Sequence, residues 1–132
     1  MSSPLGQPRA LAVMRRVWTV VLFSWVGLAL PGHAQTVFTW TSGSIPTQTV
    51  GVLDTLDITT FADHAFNGQN VLNNGIVNWQ AGYLRSGYNA VFTNSTSGTF
   101  NDSADSHLDN PFGGGYSFTF QNDGVYNKTG TG

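Results

Sequence analysis

The stretch Leu72-Asn73-Asn74-Gly75-Ile76-Val77-Asn78-Trp79 decides how the chain is read, because its phrase returns twice downstream. It recurs as Phe92-Thr93-Asn94-Ser95-Thr96-Ser97-Gly98-Thr99-Phe100-Asn101 and again as Phe120-Gln121-Asn122-Asp123-Gly124-Val125-Tyr126-Asn127. In each copy an apolar residue is followed two positions later by Asn. A glycine comes next, then an apolar residue two positions beyond it, then Asn again. Gly75, Gly98 and Gly124 lie 23 and 26 residues apart, a spacing characteristic of repeat architectures.

A second likeness underlies the first. Phe38-Thr39-Trp40-Thr41-Ser42-Gly43-Ser44-Ile45 matches Val77-Asn78-Trp79-Gln80-Ala81-Gly82-Tyr83-Leu84 in character at each position, with the two tryptophans 39 residues apart. Short runs of Val, Phe, Ile, Tyr and Thr bounded by Asn and Gly are strand signals, while helix signals are nearly missing after Ala34. Strands are expected near 36–41, 50–60, 70–72, 76–79, 83–84, 90–93, 98–101, 117–121 and 124–127. The run 50–60 reads as the longest, with Val50, Val52, Leu56 and Ile58 on a two-residue period and Asp54 out of step. Residues 62–68 read as a turn or one short helical turn, and Asn110-Pro111-Phe112-Gly113-Gly114-Gly115 as a loop.

Two all-β architectures fit these phrases. In a short parallel β-helix, or solenoid, each phrase is one coil. Its glycine sits at a corner, and Asn73 or Asn74 stacks on its counterparts above and below. In the alternative, a small antiparallel β-sandwich, Asn74-Gly75 and Asp123-Gly124 are two-residue type I′ turns closing hairpins. The third copy favours the solenoid, because Thr96-Ser97-Gly98-Thr99 keeps the frame without the dipeptide such a turn needs.

The first 34 residues read as a secretory signal peptide. Arg9, Arg15 and Arg16 precede an uncharged apolar run of 14 residues, Val17 to Leu30, and Gly32 and Ala34 are the small residues a signal peptidase reads. Cleavage is expected between Ala34 and Gln35. The apolar run is shorter than the ~20 residues a membrane-spanning helix needs, so no membrane span is expected once the signal is removed. The remaining 35–132 form a single β-repeat domain, expected to be the N-terminal piece of a longer solenoid. That domain has seven Asp and no Glu against Arg85 and Lys128, for a formal charge of −5. A chain so acidic has no basic patch for phosphates, which argues against nucleic acid and anionic membranes. Cysteine is absent, so no disulfide staples the fold.

The phrases from Leu72 to Gly130 resemble the repeats of large secreted bacterial surface proteins, the adhesins and autotransporter passengers that carry right-handed parallel β-helices. The resemblance covers about half of the chain and implies a structural or adhesive module at the cell surface. It also implies partners in further solenoid repeats or in self-association.

Catalytic residues are not evident, and the protein is not expected to be an enzyme. His64 and His107 stand at no metal-binding spacing and read as exposed loop residues. No resident cofactor is expected. Asp102, Asp105 and Asp109 supply the hard oxygens that calcium prefers, though at no known loop spacing, and are the calcium candidates. Trp79 and Tyr83 are the candidate platform for an extracellular polysaccharide, against the alternative that recurring tryptophans pack a core. Asn94, Asn101 and Asn127 each begin an N-x-S/T sequon.

Overall fold

Apolar residues on a two-residue period, broken every few positions by Asn, Asp or Gly, form many short strands that turn corners. The computed structural model describes Gly32, residues 34–109 and residues 117–131. The strands β1 (Val37–Thr39), β2 (Gly43–Ser44) and β3 (Thr49–Val50) come first. They are followed by β4 (Thr55–Ile58), β5 (Asp63–Ala65) and β6 (Val71–Asn73), and then by β7 (Ile76–Trp79), β8 (Tyr83–Arg85) and β9 (Val91–Asn94). The last are β10 (Thr99–Asp102), β11 (Leu108–Asp109), β12 (Thr119–Asn122) and β13 (Val125–Lys128).

Every strand pairs parallel with the strand three places along the chain. One sheet has the order β1-β4-β7-β10-β13, a second β11-β8-β5-β2 and a third β12-β9-β6-β3. Three parallel sheets wound in this way are a β-solenoid with three strands to a turn. The hairpin alternative fails at its central point: β6 and β7, on either side of Asn74-Gly75, belong to different sheets. Equivalent side chains lie 18, 21, 23 and 26 residues apart in successive turns. The 39-residue spacing of Trp40 and Trp79 is therefore two turns, with Ile58 paired to Trp79 in the turn between.

The interior is built from columns. Phe38, Leu56, Val77, Phe100 and Tyr126 occupy one register position of the first sheet. Val71, Phe92 and Phe120 form a second column in the third sheet. The rings of Phe92 and Phe120 stack at 5.3 Å, and those of Phe100 and Tyr126 at 5.6 Å. Fully burying one such ring contributes roughly 1.5–3 kcal/mol.

A polar column runs beside the apolar ones. Asn73, Asn94 and Asn122 share a register position. Asn73 Nδ2 donates to Asn94 Oδ1 at 2.8 Å and Asn94 Nδ2 to Asn122 Oδ1 at 2.7 Å. The same amides donate to the carbonyls of Thr99 and Val125 in the next turn. Buried Asn is tolerated here because each turn satisfies the one before it. The ladder residue of the first phrase is thus Asn73, and Asn74 is a corner residue that accepts from Ser95 Oγ. A second ladder runs along the outside of the first sheet through Asp57, Asn78, Asn101 and Asn127.

Gly75, Gly98 and Gly124 are the corners that the sequence suggests, and close approach is the reason. A Cβ on Gly75 would lie 2.1 Å from the Gly51 carbonyl oxygen, and one on Gly124 would lie 2.2 Å from that of Ser95.

Four local expectations are corrected. Residues 50–60 are two strands, β3 and β4, separated by a corner. Asp54 closes that corner by accepting from the amides of Gly51 and Thr36, which leaves Val52 69% and Leu53 56% exposed. Residues 63–65, expected in a turn, form β5, and the tight bend comes after it, where Asn67 and Gly68 have φ of 49° and 74°. The two-residue strands β2 and β11 are additional. His64 is fully buried, not a loop residue: it points inward from β5, edge-on to Trp40 at 5.2 Å, with Nε2 3.1 Å from Thr60 Oγ1.

The stretch read as a signal peptide, residues 1–34, lies outside the described residues except for Gly32 and Ala34. Ala34 and Gln35 are both exposed. No helix among the described residues is long and apolar enough to cross a membrane.

Candidate functional site: the uncovered end of the solenoid

Along each inward column, burial falls at the β12–β13 end. Phe100 is 2% exposed, whereas Tyr126, next in the same column, is 42% exposed. Phe92 is buried and Phe120 above it only partly so. The cause lies in the fold: among the described residues, β13 is the last strand of its sheet and β12 and β11 are the last of theirs. The interior opens there as a cavity of about 310 Å³ lined by Trp79, Leu84, Phe100, Leu108, Phe120 and Tyr126, with Asn122 at its margin.

Polar groups frame this apolar opening. Asp102 takes the inward position that Ile58 and Trp79 hold in earlier turns and is buried. Lys128 Nζ lies 3.1 Å from its Oδ1 and donates also to the Ala104 carbonyl at 3.1 Å. Tyr126 OH donates to Asp102 Oδ2 at 2.6 Å. Desolvation, reinforced by that hydrogen bond and by the Asp102 charge, pushes the Tyr126 phenol up to about 12. A buried carboxylate without such partners would be costly, so β13 supplies both of the groups that make Asp102 acceptable. Asn122 ends the inner Asn ladder and Asn127 the outer one, and both are exposed.

The residues singled out in the sequence are not brought together. Trp79 is 3% exposed, and its indole N–H donates to the carbonyls of Ala81 at 3.2 Å and Gly82 at 2.9 Å. It is a core residue that ties down a corner and cannot present a face to a sugar from the side of the solenoid. Tyr83 lies on the outside, edge-on to His107 at 5.2 Å.

The three calcium candidates diverge. Asp102 is engaged inside with Lys128 and Tyr126. Asp105 Oδ1 accepts from the Thr131 amide at 2.7 Å and hydroxyl at 2.8 Å. Those bonds hold its carboxyl below the usual carboxylate range. Asp109 lies in β11, in register with Arg85. No group of three metal-ligating side chains forms among the described residues. Of the sequons, Asn94 is buried in the inner ladder, and Asn101 and Asn127 belong to the outer one.

Tyr126, Phe120 and Asn122 were overlooked as functional residues. The signal for them was present in the third phrase, where Tyr126 keeps the frame of Phe100 and Asn122 that of Asn94. Comparison of the chain with protein-family models, with curated proteins and with solved structures returned no match.

Proposed function

We propose that this chain is a secreted or surface-exposed β-solenoid module of the structural or adhesive kind, without catalytic activity, whose uncovered end takes up a further parallel β-turn. The carrying observation is the apolar column that runs from Phe38 to Tyr126 and loses its cover at Tyr126. A strand stacked on β13 would cover that ring and continue both amide ladders. It would also pair the edge backbone groups of β13, and an open strand edge is a ready template for another chain. The partner is a turn of the same kind, from further repeats of such a solenoid or from a second copy. The sequence features that read as a signal peptide, and the resemblance to bacterial adhesin repeats, support a place outside the cell.

Sedimentation velocity over a wide concentration range, on the wild-type protein and Tyr126→Lys, tests this reading. The expected result is association that grows with concentration in the wild type and is lost in the variant, since a lysine ammonium at that position cannot be buried cheaply. A wild-type protein that remains monomeric throughout would overturn it.

A further inference from the structure

A groove runs along the corner between the first and second sheets, away from the uncovered end. It is lined by Phe61, Gln80, Ala81, Gly82, Tyr83, Ser103, Asp105 and Ser106, with a volume of about 250 Å³. These residues come from the same corner in three successive turns: Phe61 follows β4, Gln80–Tyr83 link β7 to β8, and Ser103–Ser106 link β10 to β11. Successive turns are spaced as neighbouring strands are, by ~4.8 Å, so the groove follows the solenoid axis and is open to a linear ligand.

Its chemistry is unusual for this surface. Phe61 is 91% exposed, and no packing in the fold accounts for an aromatic ring held out at that corner. Tyr83 is half-exposed in the same groove, and His107 steadies its ring. Between these rings stand uncharged hydrogen-bonding groups: the Gln80 amide and the hydroxyls of Ser103 and Ser106. Asp105 is the one charged side chain in the lining, and Thr131 already fixes one of its oxygens.

The corner is also rigid. Gly82 has φ of 78°, and a Cβ there would meet the Thr60 and Ala62 carbonyl oxygens at 2.4 Å. Below it, the Trp79 indole is tied to the Ala81 and Gly82 carbonyls.

We infer that this groove binds a neutral, extended polysaccharide, with Phe61 and Tyr83 against the C–H faces of its pyranose rings and Gln80, Ser103, Ser106 and Asp105 hydrogen-bonded to its hydroxyls. Exposed rings interleaved with uncharged donors and acceptors match a ligand that is apolar on its ring faces and polar at its edges. An acidic polysaccharide is disfavoured by Asp105 and by the net negative charge of residues 35–132. A lateral protein partner is the other occupant, and the uncharged polar lining argues for sugar over it. The inference does not depend on end stacking, since no residue of the groove belongs to the uncovered end.

The test is isothermal titration of the full protein with four neutral β-1,4-linked hexasaccharides, those of glucose, xylose, mannose and N-acetylglucosamine. At least one should bind, with a dissociation constant on the order of 1 mM or tighter, as expected for a few ring contacts. Phe61→Ala and Tyr83→Ala should each weaken that binding about tenfold, the scale of one lost aromatic contact, with the far-UV circular dichroism unchanged. Should Tyr83→Ala fold poorly, Phe61→Ala decides alone, because its side chain is almost wholly outside the fold. Tyr126→Lys should bind as the wild type does, which separates this result from the fate of end stacking. No binding by any of the four at 10 mM, or binding indifferent to Phe61→Ala, would overturn the inference. So would a Phe61→Ala variant that changes the sedimentation of the protein and leaves sugar binding intact.

Discussion

Replacing Asn94 by alanine tests the inner amide ladder where it is most fully buried. The Asn94 side chain has no solvent exposure and makes three hydrogen bonds. Its Oδ1 accepts from Asn73 at 2.8 Å, and its Nδ2 donates to Asn122 at 2.7 Å and to the Val125 carbonyl at 2.9 Å. After truncation, Asn122 and Val125 can turn to water, since both are exposed. Asn73 cannot: it is wholly buried and keeps only the Thr99 carbonyl as an acceptor for its amide. Three lost bonds at about 1 kcal/mol each, one of them leaving a buried donor unpaired, give a cost of about 3 kcal/mol. Asn127→Ala is the internal control. It removes one bond of 2.9 Å between exposed partners at the end of the outer ladder, and should cost below about 1 kcal/mol. Urea denaturation followed by circular dichroism measures both. With a slope of about 2 kcal/mol/M the Asn94 variant should lower the midpoint by about 1.5 M. Equal midpoints for the two variants would refute the claim that the buried ladder holds the turns together.

Three further outcomes follow from the same geometry. Gly75→Ala should destabilise the fold far more than Gly43→Ala: the first places a Cβ 2.1 Å from the Gly51 carbonyl oxygen, whereas the second meets nothing within 4 Å and bears only the strain of a φ of 68°. Parallel urea melts decide this, and similar costs would contradict the close-approach argument. Burial holds the His64 pKa below the ordinary 6.5, so the unfolded chain binds that proton more readily than the folded one. Stability should be complete above pH 6.5 and decline as pH falls from there toward the folded value, and His64→Leu should flatten that slope in melts run against pH. Tyr126 should titrate near 12 by ultraviolet absorbance, above the ordinary 10.0. Because the folded pKa is the raised one, its contribution to stability holds below pH 10 and is lost as pH rises through 12. Asp102→Asn, which removes the neighbouring charge, should move that titration back toward 10.0.

Much of the architecture was legible in the recurring phrases, because a solenoid repeats its physical problems at every turn. Each corner needs a residue without a Cβ where it passes the carbonyls of the turn below, which is why Gly75, Gly98 and Gly124 recur. Each buried polar position needs a partner above and below, which is why Asn73, Asn94 and Asn122 recur. Alternation was less informative where a corner interrupts a strand. Val50, Val52, Leu56 and Ile58 keep a two-residue period across a bend, and only Asp54, out of step, marked the place where its carboxylate closes that bend. Two-residue strands such as Gly43–Ser44 carry no pattern of their own and exist because the neighbouring turn pairs with them. The inward turn of His64 depends on the register of β5, which no local signal reveals. The candidate site was the least legible part. Exposure of Tyr126 depends on what stacks above it and that of Phe61 on where a corner points, and neither is a property of the local sequence.

The central claim, parallel stacking of successive turns, has a direct test in engineered disulfides, since the chain has no cysteine of its own. Asn78 and Asn101 are register partners on adjacent parallel strands, at a strand spacing of ~4.8 Å that suits a disulfide. In a hairpin closed by Asn74-Gly75, Asn78 would instead face Val71. The doubly substituted Asn78→Cys/Asn101→Cys protein should oxidise to an intramolecular disulfide, and Val71→Cys/Asn78→Cys should not, because Val71 points into the core while Asn78 lies in the outer ladder. A cross-link in the second pair and none in the first would contradict the solenoid.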